Sequence, residues 1–231
     1  MLNDVTNSFI QILEGNYLHL QDIPQFDFPL YGALCETLFE FYQMTKVNQL
    51  DMTYFTECVV GYLKAVVWEY IEHDNTLPSQ ETYMFKRRHT IGFPYFMQLV
   101  YAMSNVVLYK EMRVRLLVQR YTEAVRNVLF LTNDILSLRK EIIAGEVENL
   151  VLLKRQELGL PQAFSYVKKL LNSEINEVVR IGNLLIKFSP DDKNIGEFVA
   201  LTENYIDGHL YWYMDSKRYG DIQFKFKKVL Y

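Results

Sequence analysis

Cysteine is scarce in this sequence, and so are the features that would mark a secreted or membrane-bound chain. The two cysteines, Cys35 and Cys58, form neither a metal-binding spacing nor a disulfide framework. No stretch approaches the roughly 20 apolar residues that cross a bilayer, and residues 1–6 lack the basic start and apolar run of a signal peptide. We therefore predict a protein of a reduced compartment, the cytoplasm, without a membrane span.

Glycine and proline, which interrupt regular structure, are also few: there are 10 Gly and 6 Pro among 231 residues. Hairpin dipeptides are nearly absent, whereas apolar residues recur at helical spacing along most of the chain. This pattern predicts an all-α fold with one domain over residues 1–231. The predicted helices lie near 6–14, 29–45, 51–73, 79–89, 94–108, 111–143, 146–157, 161–188 and 190–216.

A strong excess of charge of one sign is missing, and so are several familiar catalytic signatures. The formal net charge is −4 and the pI is about 5.6, which argues against a nucleic-acid partner. The chain contains no Gly-x-Ser-x-Gly elbow, P-loop, dinucleotide fingerprint or Glu-x-x-His pair, and its 4 histidines form no ligand set. Aromatic residues, at 15%, fit either an ordinary core or a large aromatic-walled cavity.

The most informative stretch that is present runs from Asn133 to Glu141. Asn133, Ser137 and Glu141 are spaced four residues apart, so on an α-helix they form one stripe that drifts by only about 40° per step. An amide oxygen, a hydroxyl and a carboxylate are hard ligands of the kind that Mg²⁺ prefers beside substrate phosphates. The same spacing also occurs on ordinary solvated helix faces, and both interpretations fit the spacing alone.

The sequence around this stripe resembles the second metal-binding motif of class I terpene synthases. The string Asn-Asp-Ile-x-Ser-x-x-Lys-Glu over 133–141, followed by Asn149-Leu150-Val151, carries the resemblance. It implies that Asn133, Ser137 and Glu141 ligate Mg²⁺, which holds the diphosphate of the substrate. The resemblance further implies that Lys140, beside the last ligand, faces the same diphosphate; a solvated surface lysine is the alternative.

A second segment that resembles the family combines Pro78-Ser79, Tyr83, Arg87-Arg88, Thr90 and Gly92. In the family, an arginine of this string senses the diphosphate, and the glycine lies at a helix break that faces the cavity. A guanidinium is always charged and can bind phosphate oxygens in bidentate fashion. Arg88 is favoured as the sensor because Gly92 follows it by four residues, and Arg87 stays open. The plain alternative is a solvated arginine pair near a helix end.

The third segment is Trp212 followed by Arg218-Tyr219 near the end of the last predicted helix. It is similar to the Arg-Tyr pair with which the family contacts the diphosphate when its site closes. An isolated Arg-Tyr pair has almost no specificity. Its weight comes from its position, after the other two motifs and in the family's order.

Together these motifs imply a class I terpenoid synthase helical bundle. The implied activity is that of a lyase that ionises farnesyl or geranylgeranyl diphosphate with Mg²⁺ and cyclises the carbocation to a terpene. The catalytic candidates are Arg88 and Gly92, and the candidates for diphosphate binding are Arg87, Arg88, Lys140, Arg218 and Tyr219. A homodimer is compatible with the resemblance but is not predicted.

The family's first, Asp-rich metal motif has no counterpart upstream of Arg88 in this sequence. Asp22 and Asp27 are isolated beside prolines, where turn chemistry explains them. We therefore expect an N-terminally truncated chain that is the C-terminal part of the family fold. The alternative function is that of an impaired or inactive homologue that at most binds Mg²⁺ and diphosphate.

Overall fold

The computed structural model of the chain describes residues 2–17, 19–23, 29–48, 52–71, 78–104, 106, 110–113 and 115–219. Within these ranges the regular structure is helical and no strand occurs, as predicted. None of the helices described there is both long and apolar enough to cross a bilayer. The helices are α1 (Leu2–Leu13), α2 (Pro29–Asn48), α3 (Met52–Ile71), α4 (Gln80–Thr90), α5 (Phe93–Ser104), α6 (Lys110–Arg113), α7 (Leu116–Ala144), α8 (Leu150–Leu158), α9 (Leu160–Phe188) and α10 (Lys193–Asp215).

The contacts divide the chain into two compact units. The first combines Met1–His73 with Gly92–Val107, and the second combines Asp74–Ile91 with Leu108–Tyr231. We call them the α1 unit and the α7 unit. The sequence predicted one domain over residues 1–231, and the division into two compact units leaves this as a prediction.

The α1 unit is built from α1, α2, α3 and α5. Its apolar side chains form two clusters, one around Phe9, Ile12 and Cys35 and the other around Leu13 and Phe55. Burial raises the pKa of the Cys35 thiol to about 11, which keeps that cysteine protonated and supports its role as a core residue.

The α7 unit has a long helix at its centre. Helix α7 packs most extensively against α9 and also contacts α4, α8 and α10. Because neighbours surround it, α7 buries residues on all faces, which is typical of an interior helix rather than an amphipathic surface helix. One core cluster of this unit consists of Tyr83, Met84, Phe130, Leu131, Leu150, Val151, Ala163 and Val167.

Local capping explains where several helices of this unit begin and end. Ser79 caps α4 by accepting a hydrogen bond from the Thr82 amide, as its position before the helix suggests. Gly145 ends α7 with φ +73°, a left-handed conformation that glycine adopts without strain. Asp192 caps α10 through the Asn194 amide, so the Asp191-Asp192 pair lies at a helix start.

The structure corrects several predicted boundaries. Helix α1 begins at Leu2 rather than at residue 6, and α5 ends at Ser104 rather than at residue 108. The predicted helix 111–143 is interrupted, because Arg115 is extended (φ −64°, ψ 133°) and α7 begins only at Leu116. The predicted helix 146–157 begins at Leu150, because the Asn149 side chain caps it there. The predicted start at 190 moves to Lys193, because Asp192 caps the helix immediately before it.

Candidate functional site

The predicted metal-binding stripe lies on α7 within the α7 unit. Asn133, Ser137 and Glu141 occupy successive turns of this helix, as the spacing requires. Ser137 is 1% exposed and Glu141 is 7% exposed, so the stripe is not an ordinary solvated helix face. The Ser137 hydroxyl donates to the backbone carbonyl of Asn133 at 2.6 Å, which fixes the orientation of the hydroxyl oxygen. Three oxygen-bearing side chains are therefore ordered along one line of the helix.

Asp134, which follows the first residue of the stripe, is the polar centre of the α7 unit. Its carboxylate accepts a hydrogen bond from the Tyr83 hydroxyl at 2.8 Å and from the Leu150 amide at 2.9 Å. Arg87 approaches the other carboxylate oxygen at 3.4 Å. These three contacts come from α4 and α8, so one buried carboxylate joins three helices. Burial raises the pKa of Asp134 to about 6, against the opposing effects of Arg87 and the two hydrogen bonds.

The two arginines of the α4 motif have different surroundings. Arg87 donates from Nη2 to the Asn133 side-chain oxygen at 3.0 Å and from Nη1 to the Thr90 hydroxyl at 3.0 Å. Its guanidinium is thus placed at the first residue of the stripe. It makes a permanent positive charge available next to the candidate metal ligands.

Arg88 lies one residue, or about 100° of helix, further around α4. It donates from Nε to the Asn127 side-chain oxygen at 2.8 Å, and its Nη1 is 2.8 Å from Glu123. Asn127 and Glu123 precede the stripe on α7. The contacts therefore bring Arg87, and not the favoured Arg88, to Asn133.

The C-terminal motif reaches the same end of the stripe. The Asn133 side-chain amide donates a short hydrogen bond to the Tyr213 hydroxyl, and the Tyr213 and Tyr219 rings are 4.7 Å apart. Both phenols are buried, and burial raises the pKa of each. Tyr219 packs with Tyr213 against Leu136, which keeps its ring beside α7. Sequence reasoning identified Tyr219 but missed Tyr213.

The remaining predicted diphosphate ligands are more exposed. Arg218 is exposed, with its guanidinium carbon 5.9 Å from the centre of the Tyr219 ring. Lys140 pairs with Glu146 at 3.4 Å on the surface of the α7 unit. Both cations lie at the ends of flexible side chains, whereas Arg87 is hydrogen-bonded to Asn133 of the stripe.

Gly92 belongs to the α1 unit. It lies between the end of α4 and the start of α5 with φ +76°, which places the predicted helix break at this residue. A Cβ atom added there would be 3.1 Å from the Tyr95 ring, so a larger residue would displace that ring. Its carbonyl accepts from the Phe96 amide at 3.3 Å.

The donor set of the stripe fits a divalent cation that prefers oxygen. The Asn133 and Ser137 oxygens are hard neutral ligands, and Glu141 contributes charge. Asn149 donates to Glu141 Oε2 at 2.7 Å and leaves Oε1 for a ligand. Among the residues that the structure describes, no cluster of three or more His, Cys, Asp or Glu side chains forms another metal site. The sequence signal for this set was the four-residue spacing.

The comparisons with known proteins agree on one family. The family described as "Terpene synthase family 2, C-terminal metal binding" matches residues 4–177. This range contains the stripe and both α4 arginines and ends before Tyr213. Germacrene A synthase of Nostoc punctiforme is 26% identical over 227 residues, which cover 96% of this chain and 68% of that protein. Pristinol synthase of Streptomyces pristinaespiralis is 26% identical over 172 residues, and the match covers 70% of this chain but only 46% of the relative.

Solved structures show the same fold. The linalool/nerolidol synthase from Streptomyces clavuligerus, in complex with 2-fluorogeranyl diphosphate, superposes with a TM-score of 0.76 at 14% identity, covering 93% of this chain and 73% of that one. Germacradien-4-ol synthase from Streptomyces citricolor gives a TM-score of 0.75 at 12% identity, with 93% and 69% covered. The all-α class I fold predicted from the motifs is thereby confirmed. The chain belongs to the terpene synthase family, within the group defined by its C-terminal metal-binding region.

Proposed function

We propose that the α7 unit binds the diphosphate group of a prenyl diphosphate together with Mg²⁺, and that the chain ionises this substrate as a terpene synthase. The observation that carries the proposal is the placement of Arg87 at Asn133, the first residue of the buried stripe. A guanidinium and three oxygen ligands at one place suit a ligand that is both an anion and a partner of a hard cation.

The reaction follows from the chemistry of an allylic diphosphate. The carbon–oxygen bond breaks heterolytically, the electron pair leaves with the diphosphate, and an allylic carbocation remains. Ring closure moves the cation along the chain, and loss of a proton or capture of water ends the reaction. Bound Mg²⁺ would neutralise charge on the departing diphosphate. Farnesyl and geranylgeranyl diphosphate are the proposed substrates.

The chain's own residues would support the first step by electrostatics. Arg87 supplies a fixed positive charge, and the buried Tyr213 and Tyr219 phenols supply hydrogen-bond donors beside Asn133. The exposed Arg218 and the half-buried Lys140 would add charge around the diphosphate. Since Arg87 and not Arg88 contacts Asn133, we propose Arg87 as the first candidate for the diphosphate sensor.

The direct test is turnover by the purified chain. Farnesyl and geranylgeranyl diphosphate would be supplied separately with Mg²⁺, and extracted products and released diphosphate would be measured. We expect products that disappear when Mg²⁺ is chelated. A wild-type chain that releases neither product nor diphosphate would refute the lyase proposal. Calorimetric binding of Mg²⁺ and diphosphate without turnover would support the impaired homologue instead.

Substitutions distinguish the contributions of Arg87 and Arg88 to turnover. Removal of one electrostatic donor from such a site costs about 10²–10³ in turnover, so we expect that loss for Arg87→Ala and a much smaller one for Arg88→Ala. Arg180→Ala is the control, because Arg180 is exposed and pairs with Glu177 on its own helix. A larger loss for Arg88→Ala would restore Arg88 as the sensor.

A further inference from the structure

Asn149 has more buried polar contacts than a helix cap requires. It is 0% exposed and precedes the first residue of α8. Its side-chain oxygen accepts from the Val151 amide at 2.8 Å, which is the capping contact. Its side-chain nitrogen donates to the Asp134 carbonyl at 2.6 Å and to Glu141 Oε2 at 2.7 Å. Every polar atom of this carboxamide is therefore engaged.

These contacts explain why the residue is an asparagine. The position needs one acceptor and two donors within a short side chain, and among the capping residues only asparagine has both. Aspartate would keep the acceptor and lose both donors. Serine would keep the cap but is too short to bridge to both oxygens. The cap alone would accept either residue, so the two donors point to a second role.

The second role concerns the geometry of Glu141. A glutamate side chain has several rotatable bonds, so holding it in one orientation costs conformational entropy. Asn149 spans from the backbone of Asp134 to the carboxylate of Glu141, both on α7. Because the Asp134 carbonyl belongs to the helix backbone, it is a fixed reference for the amide. The amide in turn holds Oε2 at one place relative to the stripe.

We propose that Asn149 is a positioning residue that holds the Glu141 carboxylate in the orientation that binds the metal ion. The inference rests on the proposed function, because it takes Glu141 as a ligand. Partners of metal ligands act in this way generally, and their removal commonly weakens metal affinity by about 10–100-fold.

The test measures metal binding separately from turnover. Mn²⁺ binding in the presence of inorganic diphosphate would be followed by electron paramagnetic resonance for wild type, Asn149→Ser and Asn149→Asp. We expect Mn²⁺ affinity to fall about 10–100-fold in both variants. The half-saturating Mg²⁺ concentration for turnover should rise by the same factor, with kcat at saturating Mg²⁺ changed much less.

Asp192→Asn is the matched control, since it makes the reverse exchange at the cap of α10 and keeps the acceptor for the Asn194 amide. We expect its Mn²⁺ affinity to equal that of wild type. A Glu141→Ala background gives the decisive comparison, because there Asn149→Ser should weaken Mn²⁺ binding no further. An additional loss in that background would show that Asn149 does not act through Glu141.

The outcomes distinguish this inference from the proposed function. Wild type that binds Mn²⁺ and diphosphate without turnover removes the lyase activity but leaves the role of Asn149 intact. Folded Asn149 variants with wild-type Mn²⁺ affinity would overturn that role, as would a wild-type chain that binds no Mn²⁺. Failure of both variants to fold, seen by thermal melting, would reduce Asn149 to a folding residue and also overturn it.

Discussion

The hydroxyl of Tyr83 should contribute measurably to stability through the buried carboxylate of Asp134. Tyr83 is 5% exposed, and its hydroxyl donates to Asp134 at 2.8 Å and lies 3.2 Å from the Glu148 carbonyl. Tyr83→Phe removes this donor and keeps the ring, which packs edge-on against Phe130. A hydrogen bond to a charged group contributes about 1.5–3 kcal/mol, so we expect unfolding to cost about 2 kcal/mol less. In a chain of this length that corresponds to a melting temperature lower by roughly 4–8 °C.

A matched control separates the loss of this hydroxyl from a general effect of removing one. Tyr166 is 38% exposed and donates to the neutral oxygen of Gln80 at 3.0 Å, so Tyr166→Phe should change stability by less than about 0.5 kcal/mol. Both tyrosines belong to the α7 unit, and urea unfolding followed by circular dichroism measures both variants. Equal midpoints for the two variants would refute the assignment of Asp134 as the polar centre of this unit.

The same variant should depend on pH in a predictable direction. Burial raises the pKa of Asp134 from 3.8 to about 6, and the Tyr83 hydrogen bond opposes that rise. The stability linked to this raised pKa is therefore fully present below 3.8 and is lost as the pH rises through 6. Tyr83→Phe raises the pKa further, so its stability deficit should be larger at pH 8 than at pH 5. A deficit that is independent of pH would mean that the hydroxyl does not interact with the carboxylate.

Three further predictions concern other parts of the α7 unit. Burial lowers the pKa of His209 from 6.5 to about 4, so the chain should lose about 3 kcal/mol of stability as the pH falls between these values. In urea titrations at pH 7.5 and 4.5, His209→Phe should lose less stability than wild type, and equal losses would contradict this. Gly208→Ala should raise stability by about 0.5–1 kcal/mol, because the added methyl group meets nothing within 4 Å in α10. Gly145→Ala should lower stability by about 1 kcal/mol, since φ there is +73°; thermal melts that rank these two glycine variants in the opposite order would refute both.

Most helices could be predicted from apolar spacing because they bury a face along their length. The start of α2 at residue 29 and the end of α9 at residue 188 agree with the prediction. The break at Arg115 could not be predicted, because no glycine or proline stands there and Arg115 makes no side-chain cap. The loop before α8 was missed for another reason. Val147 continues the apolar spacing but is 51% exposed, and the contact that starts the helix belongs to Asn149.

The stripe of Asn133, Ser137 and Glu141 could be predicted from the sequence, because residues spaced four apart lie on one side of a single helix. Its partners were not, because they come from distant parts of the chain. Asn133 is hydrogen-bonded to Tyr213, which is 80 residues away in the sequence, and Asp134 to Tyr83, which is 51 residues away. The choice between Arg87 and Arg88 shows that residue spacing alone does not predict contacts between helices. Counting residues to Gly92 favoured Arg88, whereas the rotation of α4 against α7 determines which guanidinium reaches Asn133.

Two adjacent residues of the motif have opposite surroundings, and helix geometry explains why. Asn133 and Asp134 are about 100° apart on α7, so their side chains leave the helix in different directions. The Asn133 side chain donates to Tyr213. Asp134 is 1% exposed, and its carboxylate oxygens contact Tyr83, Leu150 and Arg87. Asp134 is therefore a structural carboxylate, although an acidic residue beside three candidate metal ligands would suggest a fourth. Arg87 contacts both residues, so the group that stabilises the buried charge is also the one that we propose for binding the diphosphate.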